Sequence, residues 1–230
     1  MQRRTLLKIA AVALGSRSSA LPRTASASLI DVPLYRQEHA LTCEAASLRM
    51  ALGGIGIDVA EGDILQQLPR DPTPRQVQPD GTVVWGDPDL GFVGEFDGVF
   101  ARDGYGVYDG PIAVAGAAFG VNIAHSTATD PSTLYAAVSS GQPVIVWIPY
   151  GLTVKGRGEW LTPDGKTVPY VVTEHCVVLS GLTDSGVMYA DPWEGILKTA
   201  DYATFEAAFT ELQNRAVFVS AGMLPNLPAR

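Results

Sequence analysis

The chain has 230 residues, of which 47% are hydrophobic and 17% are charged. This composition excludes a disordered chain, because the sequence can bury a sizeable core. The formal net charge of −8 at pH 7 argues against a nucleic-acid partner and against binding to anionic membrane surfaces. We therefore expect one domain, or one domain with a large insertion.

Residues 1–27 have the three-part layout of an export signal. A basic start contains Arg3 and Arg4, a short apolar run covers residues 9–14, and Ala25-Ser26-Ala27 is a cleavage pattern. The arginine pair resembles the twin-arginine type of signal. The apolar run is too short to span a membrane, and the alternative is a disordered basic tail. We expect a mature domain over residues 28–230, beginning near Ser28, outside the cell or in the periplasm or cell envelope.

Removing this segment makes the charge more negative. The first 27 residues hold five basic and no acidic side chains, which leaves 11 basic and 24 acidic residues and a net charge of −13. The mature domain is thus even less suited to nucleic acid. The sequence gives no indication of an oligomeric state.

Two helices are predicted in the first third of the mature chain. Residues 43–52 are rich in Ala, Leu and Met and favour a helix, with Thr42 as the expected N-cap. Residues 58–68 are expected to form a second helix, since Asp58 and Glu61 have the spacing of a capping box.

Residues 69–110 are predicted to be a long loop excursion. The stretch contains five prolines and many Gly and Asp residues. Its six aromatic residues argue against disorder. We expect an ordered excursion that lines one side of a cleft; the alternative is a packing patch without a role in substrate binding.

The rest of the chain is predicted to alternate between helices and strands. One helix is expected to begin at Pro111, and two more are expected to be capped by Asp130-Pro131 and by Asp201. Strands are expected to cover residues 121–124, 143–148, 168–180, 187–191 and 215–220. Residues 150–167 are predicted to be a surface loop. This order favours an α+β fold, with an N-terminal helical part packed on a mainly antiparallel sheet.

A cysteine opens the first predicted helix. Cys43 would lie at the helix N-terminus, where the dipole stabilises a thiolate, the nucleophilic form. Gln37 lies six residues upstream, and its side-chain amide could donate to an oxyanion beside the thiol. The alternative is that Cys43 is an ordinary core residue, since free cysteine is among the most buried residue types.

A histidine and an aspartate at the far end of the chain suit the same chemistry. His175 lies in an apolar strand, and Asp191 follows it by sixteen residues at the end of the next strand. An antiparallel hairpin turning at residues 182–184 would place the two side chains opposite each other, with Cβ atoms about 4.5–5.5 Å apart. A one-residue slip would put Asp191 on the wrong face. The alternative is a buried core histidine.

Short motifs along the chain carry a resemblance to a known family. They are, in order, Val32-Pro33 before Gln37, Cys43-Glu44-Ala45, Gly86-Asp87-Pro88, Gly91-Phe92-Val93-Gly94, Gly104-Tyr105-Gly106-Val107-Tyr108, Gly141-Gln142-Pro143-Val144, Val177-Val178-Leu179 after His175, and Asp191-Pro192. The ordered set resembles the C39-like cysteine peptidases, which have a papain-like fold. The resemblance implies that Cys43 is the nucleophile, His175 the general base, Asp191 its orienting partner and Gln37 the oxyanion donor.

The resemblance implies hydrolysis of an amide or peptide bond in a peptide or protein substrate, without a cofactor. We expect no metal, although Cys43, His175 and Asp191 could form a three-ligand set. Two alternatives stay open. One is a different thiol enzyme, such as a cell-wall peptide hydrolase or amidase. The other is an exported binding module that keeps the fold without activity.

The second cysteine offers a different role for both thiols. Two cysteines in an oxidising compartment can form a disulfide, so a Cys43–Cys176 bond is the structural alternative to catalysis. Neighbouring residues of a strand point to opposite faces, so Cys176 should point away from Cys43 if His175 points towards it. We expect Cys176 to be buried and unpaired, packed among Val172, Val178 and helix side chains.

Three further titratable residues receive no catalytic role from the sequence. His39 lies in the loop before Cys43 and could rim the site, while His125 ends a short strand and is expected to be structural. Glu44 follows the thiol at the helix start, and its negative charge would oppose thiolate formation.

Overall fold

The computed structural model describes residues 28–222, so the expected export signal in residues 1–27 lies outside the described residues. The helices in the described part are α1 (Cys43–Gly54), α2 (Glu61–Gln67), α3 (Asp109–Ala117), α4 (Pro131–Ser139) and α5 (Tyr202–Thr210). The strands are β1 (Ser28–Leu29), β2 (Arg70–Asp71), β3 (Gln76–Val77), β4 (Val83–Val84), β5 (Phe92–Gly94), β6 (Gly104–Gly106), β7 (Asn122–Ser126), β8 (Val144–Pro149), β9 (Arg157–Leu161), β10 (Thr167–Val171), β11 (Glu174–Leu182), β12 (Gly186–Asp191), β13 (Ile196–Asp201) and β14 (Ala216–Ser220).

A seven-stranded antiparallel sheet forms the centre of the fold. Its order is β13-β12-β11-β8-β14-β7, and β1 pairs with the end of β11. All six residues of β8 are buried, as its continuous apolar run predicts. Helices pack on this sheet, with α1 against β11 and β8. The predicted α+β architecture, an N-terminal helical part on a mainly antiparallel sheet, is confirmed.

Helix α1 is nearly all buried because small residues let it approach its neighbours. A Cβ atom on Gly53 would lie 2.3 Å from the Pro33 Cγ, and one on Gly54 would lie 2.7 Å from the Val32 Cγ1. The Ser47 hydroxyl donates to the Cys176 carbonyl oxygen over 3.1 Å and ties the helix to β11. The first residue of α1 is thereby held beside the start of β11.

The stretch 69–110 contains five short strands, which join two small sheets. One sheet has the order β2-β5-β6, and the other has the order β10-β9-β4-β3. Aromatic side chains anchor the stretch. Trp85, Phe92 and Tyr105 are almost completely buried, and the Trp160 indole of β9 donates to the Gly86 carbonyl oxygen over 2.7 Å.

The structure corrects several predicted elements. Residues 150–167 are not a plain surface loop, because they contain β9, which pairs with β10. The single strand predicted over residues 168–180 is two strands, separated at Val172 and Thr173. Val172 is exposed and does not pack beside Cys176. Strand β13 was not predicted.

The predicted helix caps of the first third also differ. Helix α2 begins at Glu61 after Ala60, and no capping box at Asp58 forms. Thr42 precedes α1 without capping it, since its hydroxyl donates to the buried Glu61 carboxylate instead. Glu61 is therefore a tertiary contact between the two helices.

A β-bulge sets the register of the β11–β12 hairpin. Leu182 pairs with Val187 near the turn, but Leu179 pairs with Tyr189, so Ser180 is an extra residue in β11. Without the bulge, the pairing near the turn would continue to place Asp191 opposite Val178. With the bulge, the continued register places Asp191 opposite Val177, on the face that also carries His175. The predicted pairing of His175 with Asp191 was wrong by two residues, but the shared face was right.

Among residues 28–222 we find no helix with the length and apolar character that crossing a membrane requires.

Candidate active site

Cys43 is the first residue of α1 and lines a cavity of about 390 Å³. The cavity lies between the start of α1, the loop before it and the start of β11. Its lining residues are Gln37, Ala40, Leu41, Cys43, Gly98, Phe100, Tyr105, Tyr150, Val172, Thr173, Glu174, His175 and Trp193. Three of the four site residues expected from the sequence therefore meet in one cavity.

The fourth expected residue, Asp191, lies behind the histidine. Its Oδ1 is 2.8 Å from the His175 Nε2, and both side chains are buried. Asp191 Oδ1 also accepts from the Trp193 backbone N–H over 2.9 Å, and its Oδ2 accepts from the Lys198 Nζ over 2.8 Å. Because Nε2 is engaged by Asp191, Nδ1 is the ring nitrogen available for other chemistry.

Burial alone would raise the pKa of Asp191, but the contacts to His175 and Lys198 and the Trp193 hydrogen bond outweigh it and lower the pKa to about 2. The carboxylate is thus ionised at neutral pH. It fixes the imidazole in one orientation, as the aspartate of a catalytic triad does. Tyr150 packs edge-on against the His175 ring, with centroids 5.5 Å apart.

The Gln37 side chain lines the cavity in an orientation that the sequence did not predict. Its Nε2 donates to the His39 carbonyl over 2.7 Å and to the Ala40 carbonyl over 3.0 Å. Its Oε1 is buried without a hydrogen-bond partner. The amide hydrogens therefore brace the loop before Cys43, and an oxyanion in the cavity would need one of them to reorient.

Glu44 contacts the thiol directly, which the sequence reading missed. The Cys43 Sγ–H donates to the Glu44 Oε2 over 3.3 Å, and the Glu44 Oε1 accepts from the Val107 backbone N–H over 2.8 Å. Gly106 makes this fit possible: its φ is +135°, and a Cβ there would lie 2.3 Å from the Glu44 Oε1. Glu44 and Val107 are far apart in the sequence, and no sequence pattern indicates that they are in contact.

The resting thiol is accordingly less acidic than a helix N-terminus alone predicts. Burial raises the pKa of Cys43 well above its usual value, and the charge of Glu44 raises it further. Burial also raises the pKa of Glu44. The raised pKa of Cys43 agrees with the expectation that Glu44 opposes thiolate formation. It does not agree with the expectation that the helix dipole stabilises a thiolate in the resting state.

A second carboxyl group, Glu174, lies beside the first. Potential ligand atoms of Cys43, Glu44 and Glu174 all lie within 4.8 Å of one another. Glu174 Oε1 is buried without a partner, and burial together with the Glu44 charge raises the pKa of Glu174 well above its usual value. This cluster differs from the three-ligand set considered in the sequence, and without an imidazole it is an unusual zinc set.

The remaining histidines and cysteine lie outside the cavity lining. His39 contacts the Asp97 carboxylate over 2.8 Å near the surface, and the His125 Nδ1 is 2.7 Å from Asp109. Cys43 and Cys176 are both free thiols, so the disulfide alternative is wrong. Cys176 is completely buried, as expected.

The fold and this cavity define a peptidase-like α+β protein, and comparison with known proteins gives its family. The model of the Peptidase_C39 like family matches residues 29–217. The chain belongs to this family.

Two relatives illustrate the similarity. The chain is 31% identical over 200 residues to YvpB of Bacillus subtilis strain 168, an uncharacterized protein; the match covers 84% of this chain and 76% of YvpB. The crystal structure of a candidate C39-like peptidase from Bacillus anthracis has a TM-score of 0.72 and 27% sequence identity. That match covers 84% of this chain and 97% of the other.

Proposed function

We propose that the protein is an exported cysteine peptidase that hydrolyses an amide or peptide bond. Cys43 is the nucleophile, His175 the general base and Asp191 the residue that orients the imidazole. The observation that carries the proposal is the placement of Cys43 and the Asp191-bound His175 on the walls of one cavity. Membership of the Peptidase_C39 like family supports the same chemistry.

The reaction begins from a protonated thiol. In the resting state this proton points at Glu44, so rotation of the S–H bond towards the His175 Nδ1 precedes attack. His175 then takes the proton, the sulfur attacks the substrate carbonyl carbon, and the imidazolium protonates the leaving amine. The buried Asp191 carboxylate stabilises the imidazolium. Water, deprotonated by His175, hydrolyses the acyl-enzyme and regenerates the thiol.

The tetrahedral intermediate needs hydrogen-bond donors for its oxyanion. The Cys43 backbone N–H belongs to the first turn of α1, where amides have no acceptor within the helix. In this proposal the Gln37 amide is the second donor, after one of its hydrogens leaves the His39 or Ala40 carbonyl. A single donor of this kind typically contributes about 10²–10³ to turnover.

An assay with matched variants tests the proposal. The purified protein is incubated with unfolded protein and with peptide libraries, and products are identified by mass spectrometry. We expect cleavage by the native protein, and none by Cys43→Ala or His175→Ala when both remain folded. Undiminished cleavage by folded Cys43→Ala would exclude a thiol mechanism. Cell-wall peptides in the same assay separate a general peptidase from a cell-wall peptide hydrolase or amidase.

A non-catalytic binding module is the second candidate. Two observations favour it: the thiol proton is directed at Glu44, and both Gln37 amide hydrogens are engaged by backbone carbonyls. A module of this kind would bind peptides in the cavity without cleaving them. Peptide binding of equal strength by native protein and Cys43→Ala, with no product in either, would support this candidate over the peptidase.

A further inference from the structure

Two residues of the cavity wall each have a buried oxygen without a hydrogen-bond partner. Of the four buried side-chain atoms in residues 28–222 that lack a hydrogen-bond partner, Gln37 Oε1 and Glu174 Oε1 belong to residues that line the cavity. Buried polar atoms are nearly always paired, so unpaired ones call for an explanation. The amide oxygen can only accept, and the Glu174 carboxyl group accepts when it is ionised, so a hydrogen-bond donor of a ligand could pair with either oxygen.

The cavity also lacks a counter-charge for its carboxylate. None of its lining residues is Lys or Arg, and Glu44 adds a second carboxyl group behind Cys43. The nearby Lys198 is already bound to Asp191 and Glu194. Glu44 is buried and Glu174 is half-buried, and two such neighbouring carboxyl groups are stabilised either by a proton or by a cation that a ligand brings.

The walls of the cavity suit an organic cation better than a bare ion. Leu41, Phe100, Tyr105 and Val172 give it an apolar lining next to Glu174. The Phe100 and Tyr105 rings lie 5.3 Å apart by centroid. An alkyl chain can pack against these side chains while its ammonium group reaches the carboxylate, and aromatic faces favour a cation.

We propose that Glu174, with Glu44 behind it, selects substrates that carry a primary ammonium group next to the bond that Cys43 attacks. The ammonium belongs either to a lysine side chain or to the free amino terminus of the substrate. This inference rests on the proposed function, because it assigns the substrate class of the same site. It makes Glu174 a specificity residue.

Equilibrium binding to full-length Cys43→Ala tests the inference without turnover. Four tripeptide amides serve as probes: an acetylated pair with lysine or its neutral isostere norleucine, and a lysine-free pair with a free or an acetylated amino terminus. We expect roughly tenfold or tighter binding of one ammonium peptide than of its neutral partner, the usual advantage of a charge-assisted contact. The member of the set that shows the preference identifies the source of the ammonium.

The second variant assigns the preference to its residue. Glu174→Gln in the Cys43→Ala background keeps the size of the side chain and removes its charge, so the preference should disappear. Glu159→Gln makes the same change at an exposed position of β9 outside this cavity and should keep it. A preference that survives Glu174→Gln overturns the assignment. If Glu174→Gln does not fold, equal binding of charged and neutral peptides to Cys43→Ala still overturns it.

Hydrolysis of the same peptides by the native protein separates this inference from the function on which it rests. Cleavage of all four peptides without any preference for an ammonium group would support the peptidase and overturn the proposed selection by Glu174. A Glu174-dependent preference in binding, without cleavage of any peptide, supports the ammonium site and overturns the peptidase mechanism instead.

Discussion

The Cys43 thiol donates a hydrogen bond to the carboxylate of the next residue, Glu44, over 3.3 Å. In the resting state, the candidate nucleophile Cys43 is therefore hydrogen-bonded to the residue that follows it in the chain. Burial and this carboxylate together hold the thiol protonated. The helix N-terminus favours a thiolate, but burial of the thiol, and then the charge of Glu44, outweigh it and raise the pKa of Cys43.

Replacing Glu44 by Gln should make Cys43 more reactive. The substitution removes the negative charge that raises the pKa of the thiol, while burial remains. We expect the rate of iodoacetamide modification to rise at pH 8, above the Glu44 pKa of about 7, with a tenfold gain in thiolate for each unit by which the pKa of Cys43 falls. Intact-mass spectrometry follows the reaction. Glu159→Gln should leave the rate unchanged, and a slower reaction of Glu44→Gln would contradict the electrostatic account.

Cys43→Ala should abolish hydrolysis while leaving the thermal midpoint almost unchanged. The side chain lies at the wall of an open cavity, so removing its sulfur creates no sealed void in the core. Differential scanning fluorimetry alongside the peptide assay checks both parts. Cys43→Ser is the conservative control for shape. A large fall in the midpoint would instead identify Cys43 as a core residue.

The Asp191 contacts predict a loss of stability in acid. Its pKa is about 2 when folded and 3.8 ordinarily, so the contribution is present above about pH 4 and is lost as pH falls towards 2. Since Asp191 is 1% exposed, the difference corresponds to about 2 kcal/mol of unfolding free energy. Urea unfolding between pH 2 and 5 measures it. Asp191→Asn should lose this part of the pH dependence, and the exposed Asp184→Asn should retain it.

Gln37→Ala should lower turnover by roughly 10²–10³ with a smaller change in KM, the usual loss for an oxyanion donor. Gln37→Glu is the matched variant, because it keeps the side-chain length but replaces the donor by a charge that repels the oxyanion. Steady-state kinetics and the thermal midpoint are measured together. A lower thermal midpoint with normal turnover would show that Gln37 only stabilises the loop, through its hydrogen bonds to the His39 and Ala40 carbonyls.

Thiol titration should find two free cysteines after denaturation without reductant. In the native state Cys176 should not react, since it is completely buried. Cys43 should react slowly at neutral pH and faster as pH rises, because its pKa is raised. The reagent is a chromogenic disulfide. Fewer than two thiols in denaturant would contradict the free-cysteine assignment.

The sequence predicted those parts of the site that depend on local patterns. The Cys43 helix follows from helix-forming residues, and the shared face of His175 and Asp191 follows from the period of two in strands. Contacts between distant segments were missed. The Glu44 contact needs the Val107 amide and the bare backbone of Gly106, which only the tertiary fold brings to α1.

The errors in the fold have a similar origin. Strand β9 was read as a loop because its charged and glycine residues lack a clear apolar alternation, and pairing with β10 stabilises it. The sequence also could not predict that Glu174 Oε1 lacks a hydrogen-bond partner, because pairing of buried atoms depends on the three-dimensional structure.

The extra residue Ser180 means that the effect of a deletion in β11 depends on its position. Deleting Ser180 itself would remove the bulge and leave Asp191 opposite Val177, so the Asp191 and His175 side chains would stay on one face. Deleting Val178 with the bulge kept would place Asp191 opposite Cys176, on the other face of the sheet from His175. The contact between Asp191 and His175 therefore depends on the number of paired residues between the bulge and His175 as well as on the presence of the two side chains.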